Sequence, residues 1–213
     1  MILLITTLTL VVCLEPVLCQ TKYCCTPLQW ESVNLITDAR DSDSPSAIPT
    51  LTQGFEQVSV DGVNHRVASM ATLTSSGFNI SVQVIQLFEQ NVMYTIESGE
   101  CKKTAIPSWT PKCVPDSAEF QTQVSYGQGS NKVDVWIYRV VQDPNTIYLN
   151  VAVNDCTPIF EAAYGSAGGV SALSSKTFTN FTLGIKDPIV FHVPEICNQA
   201  KLVHTVPKRI TVF

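Results

Sequence analysis

Residues 79–84 read NISVQV. Ile80, Val82 and Val84 alternate with Asn79, Ser81 and Gln83, the period of two that suits a strand with one buried and one wet face. The run continues through IQLF to a turn at EQN (89–91) and resumes as VMYTIES (92–98), which together predict a hairpin. The same period recurs outward from it. Val133, Val135 and Ile137 share one face of KVDVWIY, and Ile147, Leu149, Val151 and Val153 share one face of TIYLNVAV. Phe181, Leu183 and Ile185 do so in FTLGI. EQVSVDGVNHRV carries Asp61-Gly62 between two short alternating arms, a strong hairpin signal. RITVF (209–213) reads as a further strand.

Helical periodicity is weak. The stretch from Asp155 to Leu173 is the best candidate for a short helix, although Pro158, Gly165, Gly168 and Gly169 suit a loop equally well. Pro45–Pro49 and Pro107–Pro115 read as loops. Many short alternating strands, with no internal repeat and no linker, predict an all-β fold with minor α, antiparallel sheet packed on antiparallel sheet. Trp136 and Tyr138 stand on the face opposite Val133, Val135 and Ile137, so this strand carries bulk on both sides. It is either a central strand covered twice or one whose second face lines a cavity.

The chain opens MILLITTLTLVVCLEPVLC, an apolar run with Val17 and Cys19 at the −3 and −1 positions of a cleavage site. That predicts a secretory signal peptide over 1–19 and one mature domain over 20–213. The run departs from the ideal in lacking a basic start and in carrying Glu15; a buried N-terminal strand is the rival reading. No later segment has the ~18 continuous apolar residues of a spanning helix. The net charge of −5, without a basic stripe, argues against a nucleic-acid partner.

Of the eight cysteines, Cys13 and Cys19 fall in the leader. Cys24, Cys25, Cys101, Cys113, Cys156 and Cys197 remain, and an even count behind an export signal reads as three disulfides. CxxC pairs and HxxxH spacings, which zinc would need, are missing. Two N-x-[ST] sequons, at Asn79 and Asn180, agree with a secreted glycoprotein, and the first falls on the polar face of its strand.

Catalytic patterns are scarce: GxSxG, HExxH and GxxxxGK[ST] do not occur. YGSAGG (164–169) is Gly-rich but lacks a lysine and a strand-loop-helix setting, and reads as a loop. His65, His192 and His204 are far apart, and cysteine parity leaves no thiol for a Cys–His nucleophile. The expectation is a protein that is not an enzyme. Asp38, Asp41 and Asp43 in TDARDSD would offer oxygens to calcium, but without the glycine and terminal glutamate of an EF-hand loop they read as a solvated loop.

Several stretches together carry a resemblance. Cys24, Pro27, Gln29, Trp30 and Glu31 form a Cys-x-x-Pro-x-Gln-Trp-Glu opening, and Asp61, Gly62, Asn64, Arg66 and Val67 form Asp-Gly-x-Asn-x-Arg-Val. Asn91–Ile96 reads NVMYTI, Asp155, Cys156 and Pro158 form Asp-Cys-x-Pro, and 180–197 reads NFTLGIKDPIVFHVPEIC. In this order they resemble the ependymin-related family of secreted glycoproteins, with Ser32 standing where that family usually has glycine.

The resemblance implies two stacked antiparallel sheets forming a half-open, disulfide-stapled shell around a deep apolar pocket. It also implies lipid or other hydrophobic-ligand binding, calcium binding, homodimers and association with extracellular matrix. It pairs Cys24 with Cys156 and Cys101 with Cys197, after which parity leaves Cys25 for Cys113. The cysteines of the third bridge of vertebrate members are absent here. Candidate pocket walls, chosen by strand position and bulk, are Val84, Leu87, Phe88, Tyr94, Trp136, Tyr138 and Tyr148. Two functions follow as expectations: a secreted carrier of a hydrophobic ligand, or a calcium-dependent matrix-adhesion glycoprotein acting through its surface.

Overall fold

The computed structural model describes residues 24–41, 49–167 and 170–203. Its strands are β1 (Gln29–Arg40), β2 (Thr50–Asp61), β3 (Arg66–Ser75), β4 (Phe78–Leu87), β5 (Val92–Glu97) and β6 (Glu100–Ala105). They continue as β7 (Glu119–Tyr126), β8 (Val133–Gln142), β9 (Asn145–Ala152), β10 (Pro158–Ala167), β11 (Val170–Leu183) and β12 (Leu202–Val203). All belong to one sheet in the order β12-β6-β5-β4-β3-β2-β1-β11-β10-β9-β8-β7. Pairing is antiparallel except between β12 and β6.

The alternation read in the sequence becomes register. Trp30 faces Val60, and Val60 faces Val67, so the same parity of β1, β2 and β3 shares one face. The two hairpins read at Asp61-Gly62 and at 89–91 are the β2–β3 and β4–β5 connections, the second through a single 3-10 turn at Phe88–Gln90. β3 and β8 are six places apart in the sheet. Flat, that would separate them by ~29 Å at ~4.8 Å per strand. Val67 of β3 and Val140 of β8 nevertheless pack into one cluster with Trp30, Ile147, Leu149 and Phe178. The sheet is therefore curled, and the face carrying Trp30 is the inside.

The two layers expected from the sequence are thus two arms of one ladder. β1 and β11 pair along ten positions, Asn34 against Phe178 among them, and this ladder joins the arms. Alternation reports which side of a strand is buried but not whether two buried sides belong to one sheet. Curling follows from strand twist and from bulges at Glu31/Val33 and at Pro158/Phe160. Gly54 helps, since a Cβ there would lie 2.0 Å from the Thr72 carbonyl oxygen.

Within the Asp155–Leu173 stretch, read as a short helix or a loop, residues 158–167 form β10 and residues 170–173 open β11. Its strand pattern is hidden because the inner side of β10 carries Glu161, Ala163 and Gly165, which are not a run of large apolar residues. Residues 1–23, 42–48, 168–169 and 204–213 lie outside the described residues, and with them the expected leader, most of the expected Pro45–Pro49 loop, the last two glycines of YGSAGG and RITVF.

Three disulfides staple the shell: Cys24–Cys156, Cys25–Cys113 and Cys101–Cys197. Cys24 is buried and Cys25 exposed, so the two neighbouring sulfurs leave the extended backbone on opposite sides. The Pro107–Pro115 segment, a loop as expected, is tied to the N-terminal segment by Thr26 N donating to Lys112 O at 2.8 Å and Val114 N donating to Cys24 O at 2.8 Å. Together they plug the inner face at the Trp30 end, with Val114 and Trp109 in the core. On the outer face the C-terminal segment crosses β3–β6, packing Cys197 and Val193 on Ile85, Val92 and Tyr94.

Candidate functional site

Beyond the plug the inner face is hollow. A cavity of ≈200 Å³ lies against Ile36, Glu56, Leu73, Glu161, Ala163 and Lys176. Register explains the grouping: Ile36 faces Lys176, Glu161 faces Lys176, and Ala163 faces Ser174, so all project from one side of β1, β10 and β11. On the other arm Glu56 faces Ala71 and Gly54 faces Leu73. The cavity shares Arg40, Tyr164, Ala172 and Leu173 with a second hollow of ≈380 Å³ at the mouth of the shell.

The inner end of this trough is ionic. Lys176 Nζ lies 3.3 Å from Glu56 Oε2, with the lysine side chain 17% and the glutamate 7% exposed. Asn34 Nδ2 donates to the same oxygen at 3.4 Å, and Ser32 Oγ donates to Asn34 Oδ1 at 2.8 Å. Glu161, 3% exposed, is the cross-strand partner of Lys176. Lys112, from the plug, lies within electrostatic reach of Lys176 and Glu161. Burial, helped by the Lys176 charge, pushes the Lys112 ammonium below its ordinary range against the pull of Glu161. The hollow in this chain is mixed: Ile36, Ala71, Leu73, Ala163 and Ala172 supply apolar wall, Asp38, Arg40 and Asp41 stand toward the mouth, and the base is charged.

The seven sequence-chosen wall residues do not line this hollow. Val84, Trp136 and Tyr138 do stand on the inner face, whereas Leu87, Tyr94 and Tyr148 point from the outer one. Phe88 sits in its 3-10 turn with its ring 5.1 Å from Trp109. Trp136 donates to Gln123 Oε1 at 3.3 Å, and Tyr138 packs on Phe120 with centroids 5.8 Å apart. Burial raises the Tyr138 pKa above its ordinary value. Tyr94 is buried against the C-terminal segment, and Tyr148 stacks on Tyr164 at 6.2 Å. Large side chains fill space, and this hollow is left where Ala71, Ala163 and Ala172 stand.

The remaining candidates separate. Asp38 lines the cavity, Asp41 lies at its mouth, and Asp43 is outside the described residues. Among the described residues no three acidic, His or Cys side chains are grouped to hold a metal ion. His65 Nδ1 lies 3.7 Å from Glu89 Oε1 and its ring stacks on Trp109, whereas His192 is exposed and His204 falls outside the described residues. Asn79 and Asn180 are both exposed on the outer side. Asn180 also borders an outer hollow of ≈540 Å³ whose other lining includes Gln57, Ser59, Gln83 and Lys186. Among the described residues no helix is long and apolar enough to cross a membrane.

The motif Asp-Gly-x-Asn-x-Arg-Val has a clear structural role. Asp61, 1% exposed, accepts from Arg66 Nε at 2.8 Å, from Gln29 Nε2 at 2.8 Å and from Asn64 Nδ2 at 2.8 Å. Arg66 in turn lies over the Phe191 ring, 4.2 Å from its centroid. One hairpin acid thereby joins β1, β3 and the closing Lys-Asp-Pro-Ile-Val-Phe segment. The family model described as Ependymin matches residues 77–197, from the start of β4 through Cys197.

The chain belongs to the ependymin family. It is 27% identical over 188 residues to mammalian ependymin-related protein 1 of Mus musculus, covering 84% of this chain and 77% of that one. It is 23% identical over 187 residues to ependymin-related protein 1 of Haliotis asinina, covering 82% of this chain and 90% of that one. Among solved structures, an uncharacterized conserved protein from Thermus thermophilus is similar at a TM-score of 0.49 and 9% identity, covering 83% of this chain and 90% of that one. This ependymin-family chain is thus an all-β, three-disulfide protein whose sequence-level family motifs fall on its hairpin knot, its staples and its C-terminal strap.

Proposed function

We propose that this ependymin-family protein is a secreted, glycosylated binding protein, not an enzyme, that holds a hydrophobic or amphiphilic small molecule in the trough of its inner face. The observation that carries this reading is the hollow itself. Two arms of one sheet, stapled at one end, leave a trough with Ile36, Ala71, Leu73, Ala163 and Ala172 along its inner wall. Three disulfides and two exposed sequons support an extracellular setting. Organic extraction and mass spectrometry of protein secreted from eukaryotic cells is the test. One amphiphile per folded chain is expected, and Ala172→Phe, which fills the trough, should reduce occupancy at least tenfold with the disulfides intact. Empty wild-type protein that also takes up no added amphiphile would overturn the reading.

A second reading, a surface acting in self-association and matrix contact, is supported by one feature of the outer face. Leu35, 54% exposed, pairs in register with Phe55, 46% exposed, and Met70 on the neighbouring strand is 43% exposed. Three large apolar side chains side by side in water suit a second copy of the chain. Light scattering with and without calcium tests both this reading and the family's calcium dependence. A dimer that Phe55→Lys dissociates is the expected result, and a monomer under both conditions would end it.

A further inference from the structure

We infer that the trough binds its ligand head-first and selects a zwitterionic head group; the inference rests on the binding function proposed above and adds the class of ligand. Charge balance at the base of the trough carries it. Lys112 and Lys176 are set against Glu56 and Glu161. Nearer the mouth the lining includes Asp38, Arg40 and Asp41, which stand in more open surroundings. At the base each sign is represented twice, and these charges are largely withdrawn from water.

A buried ion pair is seldom the most stable way to fill an interior, since apolar side chains of like volume do as well or better. Here the pairs are placed at the inner end of an open trough, not in the packed core around Trp30 and Leu149. Their arrangement makes sense as a cradle. A fatty carboxylate entering it would meet Lys176 but also Glu56 and Glu161, and it would leave one negative charge uncompensated. An alkylammonium has the converse defect. A head group carrying both charges exchanges partners with the existing pairs: its cation takes the glutamates and its anion the lysines, and the site stays neutral. The alkyl chain then runs outward past Ala71, Leu73 and Ala172 to the mouth, where the second hollow begins. Ligand polarity is thus opposite to that of a pocket that swallows a tail and leaves the head in water.

The test is titration calorimetry with four twelve-carbon amphiphiles below their micelle concentrations: dodecylphosphocholine, dodecanoate, dodecyltrimethylammonium and dodecyl maltoside. Wild-type protein should bind the phosphocholine about tenfold or more tighter than either singly charged chain. Glu161→Gln, which leaves the base net positive, should move the preference to dodecanoate. Lys176→Met should move it to the trimethylammonium. Lys201→Met, an exposed lysine, serves as the control for overall charge and should change nothing. Should one glutamate or lysine variant fail to fold, the wild-type order and the other variant still decide. Four heads binding alike, or an order unmoved by the variants, would overturn the head-group inference and leave the trough as a binding site. Binding of none would overturn both.

Discussion

Asp61 is 1% exposed yet charged, because donors converge on it. Burial pulls its pKa upward, but hydrogen bonds from Asn64, Gln29 and Arg66 outweigh this and hold it at about 2, against an ordinary 3.8. A depressed carboxylate stabilises the fold above the unfolded pKa and loses that contribution as pH falls through the folded one. Asp61 should therefore contribute about 2 kcal/mol at neutral pH, declining between pH ~4 and pH ~2. Urea melts at pH 5 and pH 2 would read this loss. Asp61→Asn should flatten that acid limb and cost about 3 kcal/mol at pH 5, because Arg66 would lose its buried partner. The sequence announced Asp61 as half of a hairpin turn. It could not announce the other role, because Gln29 lies 32 residues away and Phe191 on the far segment of the chain. The same distance problem hid the trough. Glu56, Lys176 and Glu161 are ordinary polar strand residues until register puts them on one inner face.

Strands with one apolar and one polar side, such as β4 and β9, are legible because alternation is a local property. β10 was not, since it borders the trough and its inner side is small or charged; a strand beside a cavity loses the contrast that marks strands. The plug is the element on which the trough depends. Its Cys25–Cys113 bridge closes a separation of 88 residues. The Cys25→Ser/Cys113→Ser double variant should lose about 4 kcal/mol by the chain-entropy model. Calorimetry would measure that loss. Hydrogen exchange should show the greatest loosening at Thr26 and Val114, whose amides hold the plug to the N-terminal segment. Unchanged exchange there would mean that the plug stands on Trp109 and Val114 packing alone.

Among the described residues, twelve strands in one curled ladder put a packed core and an open trough on the same face of the same sheet. Family motifs in the sequence conveyed the all-β shell and its staples, but a shell described by motif says little about what its hollow accepts. That depends on side chains the motifs do not include, Lys112, Lys176, Glu56 and Glu161 among them. The outer hollow beside Asn180 is larger, at ≈540 Å³, and so is a real competitor for any ligand. Hydrogen exchange with and without dodecylphosphocholine separates the two. Protection is expected at residues 36–40, 161–165 and 172–176, which border the inner trough, with little change at 180–190. Protection confined to 180–190, or none anywhere, would contradict a ligand held between the arms of the sheet.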